Sequence, residues 1–252
     1  MIWNSAIAAF SMYSKIPMPQ ITWNERATRY MLCWFPAVGL VIGLAACALM
    51  QILFRLDAGP LMTGVLLTAL PLLLTGGIHL DGFLDTVDAR ASCAVREKKL
   101  EILKDPHVGA FAVIFGALYL LVSAGAWSTI TWRSMQLMLL VFPTERALSA
   151  LLALKLPDAR EGGSLAKLKK TAEGKTVTAV LFMELAVFAA VMLVIDWKLA
   201  AFVLAVLIIF SLYYRHSTLK DFGGVTGDLA GWFLQSSELA VLLALVIAAK
   251  LV

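Results

Sequence analysis

Residues 31–54 read MLCWFPAVGLVIGLAACALMQILF, a run of 24 residues without a charged side chain. A helix crosses the hydrocarbon core of a bilayer with about 20 apolar residues, so this run is long enough for one span. Six further apolar runs follow, of which 199–214 is short: 58–78, 110–132, 134–154, 176–195, 199–214 and 229–249. The pattern predicts an all-α, polytopic integral membrane helical bundle of about seven transmembrane helices.

The composition supports the same fold class. Hydrophobic residues form 61% of the 252-residue chain and charged residues only 15%, which leaves too little polar surface for a soluble globule. The three cysteines, Cys33, Cys47 and Cys93, are too few for a disulfide scaffold. No unit of sequence repeats, so we expect a single membrane-embedded domain over residues 1–252.

The distribution of Lys and Arg predicts the orientation. With a cytoplasmic N-terminus, 16 of these residues fall on the inner side and four on the outer side, and positive charge prefers the cytoplasm. The outer four are Arg55, Arg133, Lys198 and Lys250. We therefore expect segments 79–109, 155–175 and 215–228 in the cytoplasm. The asymmetry also accounts for the net charge of +4 without a nucleic-acid partner.

Two inner segments have further interpretations. The apolar N-terminal residues 1–10 lack the positive start of a signal peptide and predict a short helix lying at the cytoplasmic interface. The lysines of 155–175 are typical of topology charge, although Gly162 and Gly163 beside them leave a phosphate contact open.

The densest acidic group follows Gly76 and Gly77 and contains Asp81, Asp85 and Asp88. Their spacing of four and three residues places all three carboxylates on one face of a helix. Like charges so close repel one another, and a divalent cation relieves the conflict. Mg²⁺ binds oxygen ligands together with water and substrate phosphates, so the group predicts a magnesium site. The two glycines let a ligand approach the backbone closely.

A second interpretation of the same aspartates is a solvated acidic face at a membrane exit, paired with Arg90 and Lys98. The apolar residues between the aspartates favour the site, because charge within an apolar segment is costly. His79, just before the first Asp, is a weaker candidate, since a lone His is more often structural.

Two other motifs fall on the same predicted face. Lys104 and Asp105 open the sequence KDPHVG, which fits a turn and a substrate site equally well. Gly223, Gly224 and Thr226 belong to FGGVTGD, whose backbone N–H groups can form a nest for a phosphate. Asp228 at its end is either a metal ligand or the N-cap of the last helix.

Two charged residues lie inside the predicted spans. Arg146 falls within 134–154, and Glu238 falls within 229–249. Glu238 is either a pairing partner for Arg146 or a general base.

The motifs together resemble those of the cobalamin synthase family. Residues 76–88, GGIHLDGFLDTVD, are similar to its GGxHxDGxxDTxD signature. Four further segments match in order along the chain: SKIPMP at 14–19, FPAVG at 35–39, LKDPHVG at 103–109, and GGVTGD at 223–228 followed by SEL at 237–239. The sequence departs from the family pattern at Ala89–Arg90, at Gln235 and around Phe142–Arg146.

The resemblance implies a Mg²⁺-dependent phosphotransferase in the cytoplasmic (inner) membrane of a bacterium or archaeon. A hydroxyl of α-ribazole or its 5′-phosphate would attack adenosylcobinamide-GDP and release GMP. We expect Asp81, Asp85 and Asp88 to bind the metal and Asp228 to act as ligand or base. His79 and Glu238 are lesser general-base candidates. The expected substrate and phosphate contacts are Gly76, Gly77, Arg90, Lys104, Asp105, Arg146, Gly223, Gly224 and Thr226. The oligomeric state stays open, with a homo-oligomer as one outcome.

Two other functions compete with this one. A phospholipid enzyme resembling the CDP-alcohol phosphotransferases would use similar chemistry but needs a second aspartate motif, which residues 91–109 do not supply. A secondary transporter would use Glu145, Glu184 and Glu238 as an ion path and should show inverted repeats.

Overall fold

The computed structural model describes residues 2–160 and 162–249. Lys250, counted above on the outer side, lies outside them, as do Met1 and Glu161 of the predicted inner segments. Within the described residues the chain is helical without a β-strand, which confirms the all-α prediction. The α-helices are α1 (Ile2–Tyr13), α2 (Glu25–Thr28), α3 (Phe35–Arg55), α4 (Pro60–Thr75), α5 (Ile78–Ala91), α6 (Arg96–Ile102), α7 (Ala110–Trp127), α8 (Trp132–Lys155), α9 (Ser164–Thr171), α10 (Gly174–Ile195), α11 (Trp197–Phe222) and α12 (Gly227–Ala248). A 3₁₀ helix, Met31–Trp34, leads into α3.

Among the described helices, six are long and apolar enough to cross a membrane: α3 with its 3₁₀ lead, α7, α8, α10, α11 and α12. A seventh candidate is the pair α4 and α5, which is bent by 97°. These counts confirm a polytopic bundle of six to seven spans.

The predicted run 58–78 does not form one straight helix. It ends as α4 at Thr75 because Gly76 and Gly77 both adopt left-handed backbone angles, with φ of 67° and 78°. Glycine tolerates this conformation at no steric cost and commonly ends a helix. The chain then turns into α5, which carries the three aspartates. Because charged carboxylates are costly in hydrocarbon, we expect the part of α5 that carries the aspartates to lie outside the hydrocarbon core.

Two predicted inner loops are largely helical. Segment 79–109 contains α5 and α6, and segment 155–175 contains α9. The run 199–214 is longer than predicted, because α11 continues to Phe222 through the charged residues Arg215 and Lys220. A helix satisfies its own backbone hydrogen bonds and can therefore extend beyond the apolar run. The membrane orientation itself stays a prediction.

The core forms around α8 and α12, which pack against each other and supply many of the buried side chains. Small residues let neighbouring helices approach closely. A Cβ at Gly39 or Gly43 of α3 would stand 2.5 Å from the carbonyl oxygen of Phe142 or Leu139 on α8. Helix α1 packs with its residues Ser5–Ala9 buried, which confirms a helix there, while its place at the interface stays a prediction.

The contact between α5 and α12 positions the acidic residues. A Cβ at Gly82 would stand 2.7 Å from the backbone oxygen of Asp228, and one at Gly231 would stand 2.9 Å from that of His79. The two helices therefore touch backbone to backbone. This crossing brings the start of α5 beside the start of α12.

Candidate active site

A cavity of about 190 Å³ lies where α1, α5, α8, α9 and α12 meet the 3₁₀ helix. One part of its wall is polar and carries the side chains of Asp81, Ser164 and Asp228. The other part is mainly apolar and is formed by residues such as Tyr13, Leu32, Phe35, Ala150, Ala153 and Leu168. The cavity therefore presents carboxylates and hydroxyls beside an apolar recess.

Three helices begin at this wall: α5 at Ile78, α9 at Ser164 and α12 at Gly227. The first N–H groups of a helix have no carbonyl partner within it, and the helix dipole is positive at that end. An anion such as a phosphate is stabilised by this arrangement.

Asp228 lies in the first turn of α12 and is not its N-cap. Thr226 is the cap, since its Oγ1 accepts a hydrogen bond from Leu229 N at 3.2 Å. The same hydroxyl donates to Asp228 Oδ2 at 3.2 Å, and Arg160 Nη2 lies 3.5 Å from that oxygen. Among the described residues, Asp228 Oδ1 has no hydrogen-bond partner and is available to a ligand.

The three predicted aspartates do lie on one helix, α5, but their surroundings differ. Asp81 lines the cavity. Burial, followed by the charges of Asp81, Asp228 and Asp88, raises the pKa of Asp85 to about 6. Asp88 instead holds the start of α7, because its two oxygens accept hydrogen bonds from Gly109 N at 2.7 Å and Ala112 N at 2.8 Å.

These carboxylates do not form a preassembled metal cage. Within the described part of the chain, no three His, Cys, Asp or Glu side chains are placed to hold a metal ion together. Mg²⁺ commonly needs only one or two protein carboxylates and takes water and phosphate oxygens for the rest. The oxygens of Asp81, Asp85 and Asp228 left without partners, and the mutual repulsion around Asp85, fit such a hard cation.

The predicted glycine nest has a different structural role. Gly223, with φ of 70°, ends α11, and a side chain there would overlap the guanidinium of Arg96. Gly224 allows a close approach to residues 157–159, where Ala159 N donates to Val225 O at 3.0 Å and Val225 N donates to Pro157 O at 2.9 Å. The segment thus fixes the loop that carries Arg160, and neither glycine lines the cavity.

With this geometry established, comparison with known proteins identifies the family. The profile of the cobalamin-5-phosphate synthase family matches residues 5–246. The chain belongs to this family. Relatives named adenosylcobinamide-GDP ribazoletransferase include that of Lachnoclostridium phytofermentans, 40% identical over 97% of this chain and 94% of the relative. The relative of Brevibacillus brevis is 33% identical over 96% of this chain and 98% of its own length. The relative of Desulfitobacterium hafniense is 34% identical over 93% of each chain. No solved structure matches the chain.

Membership of the cobalamin-5-phosphate synthase family supports the predicted function over the phospholipid enzyme and the transporter. Two of the three cations predicted to contact phosphate do not line the cavity of this family member and instead pack among its helices. Arg90 stacks over the ring of Trp232 at 4.0 Å and donates to Ser217 Oγ at 3.0 Å, so it joins α5 to α11 and α12. Arg146 is 1% exposed and pairs with Glu145 Oε1 at 2.9 Å, while the predicted partner Glu238 has a buried Oε2 without a hydrogen bond among the described residues.

Lys104 and Asp105 of this family member lie in an exposed turn. Asp105 accepts a hydrogen bond from His107 N at 3.0 Å and pairs with His107 Nδ1 at 2.7 Å, and these bonds lower the pKa of its carboxyl. The structure thus favours the turn over the substrate site. Gly76 and Gly77 line a separate shallow pocket with Asp81 and Leu84.

Sequence reasoning did not single out Ser149 and Ser164, which line the cavity, or Arg160, which contacts Asp228. Arg160 was counted with the topology charges of 155–175, although the Gly162–Gly163 pair beside it left a phosphate contact open. Ser149 lies in the middle of a predicted span, where a hydroxyl carries no distinctive signal.

Proposed function

We propose that this chain joins adenosylcobinamide-GDP to α-ribazole or its 5′-phosphate. The reaction releases GMP and forms adenosylcobalamin or its 5′-phosphate, a late step of cobalamin biosynthesis. Family membership and the names of the relatives support a transferase of this kind. The structural observation that carries the proposal is that Asp81 and Asp228 line one cavity, at a wall where three helices begin.

The bond changes define what the site must do. A hydroxyl oxygen of the acceptor riboside bonds to the phosphorus that carries cobinamide, the bond from that phosphorus to GMP breaks, and the hydroxyl loses its proton. Charge develops on the phosphoryl and leaving oxygens, so catalysis depends on positioning and on electrostatic stabilisation. In our proposal the N–H groups at the starts of α9 and α12 receive the diphosphate oxygens.

Arg160 is the cation that we assign to the diphosphate. Its Nη2 contacts Asp228 at the long distance of 3.5 Å, and its Nη1 is buried without a hydrogen bond among the described residues. A guanidinium forms its strongest pairs with phosphate and carboxylate oxygens. Arg160 is therefore placed to exchange its weak contact with Asp228 for a phosphate oxygen.

Asp228 is our candidate for accepting the hydroxyl proton, at the unpartnered Oδ1. Asp81 and Asp85 would hold Mg²⁺ together with water and phosphate oxygens, and the ion when bound would neutralise charge on the diphosphate and on the leaving GMP. We assign Asp88 to the start of α7 rather than to the metal, because both its oxygens accept backbone hydrogen bonds.

We further propose that the N-terminus and this site face the cytoplasm. The Lys and Arg asymmetry supports this orientation. Cys93 is exposed in the turn after α5 and provides a native label. In a variant with Cys33→Ala and Cys47→Ala, a membrane-impermeant maleimide should label Cys93 in inverted vesicles and spare it in intact cells. Labelling from outside intact cells would contradict the orientation.

The function is tested by incubating the purified protein in nanodiscs with adenosylcobinamide-GDP, α-ribazole 5′-phosphate and Mg²⁺. Chromatography should show a corrinoid product that joins the cobinamide phosphate to the α-ribazole 5′-phosphate, together with free GMP. A protein that stays folded and yields no such product would refute the proposal.

A further inference from the structure

We propose that the apolar recess of the cavity binds the aromatic base of the acceptor nucleoside, and that His79 Nε2 hydrogen-bonds the unsubstituted ring nitrogen of that base. This inference rests on the proposed function and names a subsite within it. It assigns His79 to recognition of the base rather than to proton transfer.

The size and lining of the recess fit a planar base. A cavity of about 150 Å³ lined by apolar side chains is enough to bind benzene. The cavity here measures about 190 Å³ and opens to the polar wall, so a bicyclic aromatic base fits while a corrin macrocycle does not. Tyr13 and Phe35 contribute aromatic rings whose centroids lie 4.2 Å apart. Aromatic groups favour such surroundings.

His79 supplies the polar contact. His79 lines the cavity and is only 5% exposed. Its ring atom Nε2 is buried and has no hydrogen-bond partner in the described part of the chain. A buried polar atom left unpaired is destabilising, so an unpaired nitrogen on a cavity wall indicates a ligand that pairs with it. The centroid of the imidazole ring lies 6.2 Å from that of the Tyr13 ring and 5.9 Å from that of the Phe35 ring. These two neighbours hold the imidazole and thereby fix the position of Nε2.

Ser149 adds a second polar group to the recess. It is 4% exposed, lines the cavity, and its hydroxyl forms no hydrogen bond with the described residues. Two isolated polar atoms in an apolar recess match a base with few hydrogen-bonding groups. Guanine, the other base in the reaction, carries more polar groups than His79 and Ser149 satisfy, and the structure therefore favours the acceptor.

The location of the recess is consistent with the reaction. His79 lies two residues before Asp81 on α5, and Gly231 of α12 packs against its backbone. A base in the recess therefore directs its ribose toward the wall that carries Asp81 and Asp228. The attacking hydroxyl then lies beside the proposed diphosphate position.

Three variants test the recess. Ala153→Leu fills it, because Ala153 lines the cavity, while Ala147→Leu is the packing control, because Ala147 is equally buried on α8 without lining it. His79→Phe removes the ring nitrogen, and His79→Gln restores an N–H near the same place. Calorimetry measures binding of α-ribazole and of an analogue in which a C–H group replaces the unsubstituted ring nitrogen. Product assays measure KM for both substrates.

We expect wild type to bind α-ribazole about tenfold more tightly than the analogue, the scale of one buried hydrogen bond. His79→Phe should remove this preference, and His79→Gln should recover part of it. Ala153→Leu should raise KM for the acceptor while KM for adenosylcobinamide-GDP stays near that of Ala147→Leu. An unchanged preference in His79→Phe, or an effect of Ala153→Leu confined to adenosylcobinamide-GDP, overturns the base subsite. Neither result touches the proposed function, which fails separately if wild type forms no product.

Discussion

Gly82 of α5 lies directly against the backbone of Asp228 on α12. A Cβ at position 82 would stand 2.7 Å from the Asp228 carbonyl oxygen and 2.8 Å from its Cα. The absence of a side chain at one residue thus allows the carboxylates of two helices to share one cavity. The arrangement of the site depends on this contact more directly than on any ion pair.

The first prediction concerns that contact. Gly82→Ala should force α5 away from α12 and separate Asp81 from Asp228. A displacement of about 1 Å can cost about 10²-fold in rate, and we expect a loss of that order in product formation. Gly125→Ala on α7 is the control, because a Cβ there meets nothing within 4 Å. Equal rates in the two variants would show that the backbone contact does not position the site.

The second prediction separates the role of Asp228 from that of Thr226. Thr226→Ala removes the N-cap of α12 and should lower the free energy of unfolding by about 1 kcal/mol while the protein keeps most of its activity. Asp228→Asn keeps the cap and should abolish turnover with little change in thermal stability. Thermal melts and rate assays on both variants distinguish the two roles. If Asp228→Asn instead keeps its activity and loses thermal stability, Asp228 has a structural role and not a catalytic one.

The third prediction compares two aspartates one turn apart. Asp85→Asn should lower activity by about 10²-fold, the scale of losing one preorganised electrostatic group, and should raise the Mg²⁺ concentration needed for half-maximal rate. Asp88→Asn should instead loosen the start of α7, with a lower melting temperature and the Mg²⁺ requirement of wild type. Magnesium titrations of both variants provide the measurement. The assignment fails if the requirement shifts in Asp88→Asn and not in Asp85→Asn.

The fourth prediction concerns Arg160. Arg160→Gln removes the guanidinium beside Asp228 and should raise KM for adenosylcobinamide-GDP about tenfold or more, the scale of a hydrogen bond to a charged group. KM for α-ribazole should change little. Lys170→Gln removes an exposed positive charge from α9 and controls for the general field. Similar KM values for adenosylcobinamide-GDP in the two variants would show that Arg160 does not bind the diphosphate.

The sequence predicted much of the fold because apolar length and helical spacing are local signals. The spans α3, α7, α8, α10 and α12 fall close to the predicted runs. The bend after α4 was missed, since Gly76 and Gly77 were interpreted as ligand contacts and not as left-handed residues that end a helix.

The candidate site could be predicted only in part. Asp81 and Asp228 were identified because acidic residues next to apolar segments are costly and therefore informative. Arg90 and Arg146, predicted as phosphate contacts, do not line the cavity, because their partners Trp232 and Glu145 depend on how the helices pack and rotate. Arg160 lies beside Asp228 because hydrogen bonds between residues 157–159 and Val225 join two segments that are distant in the sequence.

The most direct test of phosphoryl transfer at this cavity is GMP release by Asp81→Asn beside wild type. The assay uses equal amounts of folded protein in nanodiscs with adenosylcobinamide-GDP, α-ribazole 5′-phosphate and Mg²⁺. We predict that wild type releases GMP only when both substrates are present, and that Asp81→Asn releases it at least about 10²-fold more slowly. GMP release by Asp81→Asn at the wild-type rate would contradict the account.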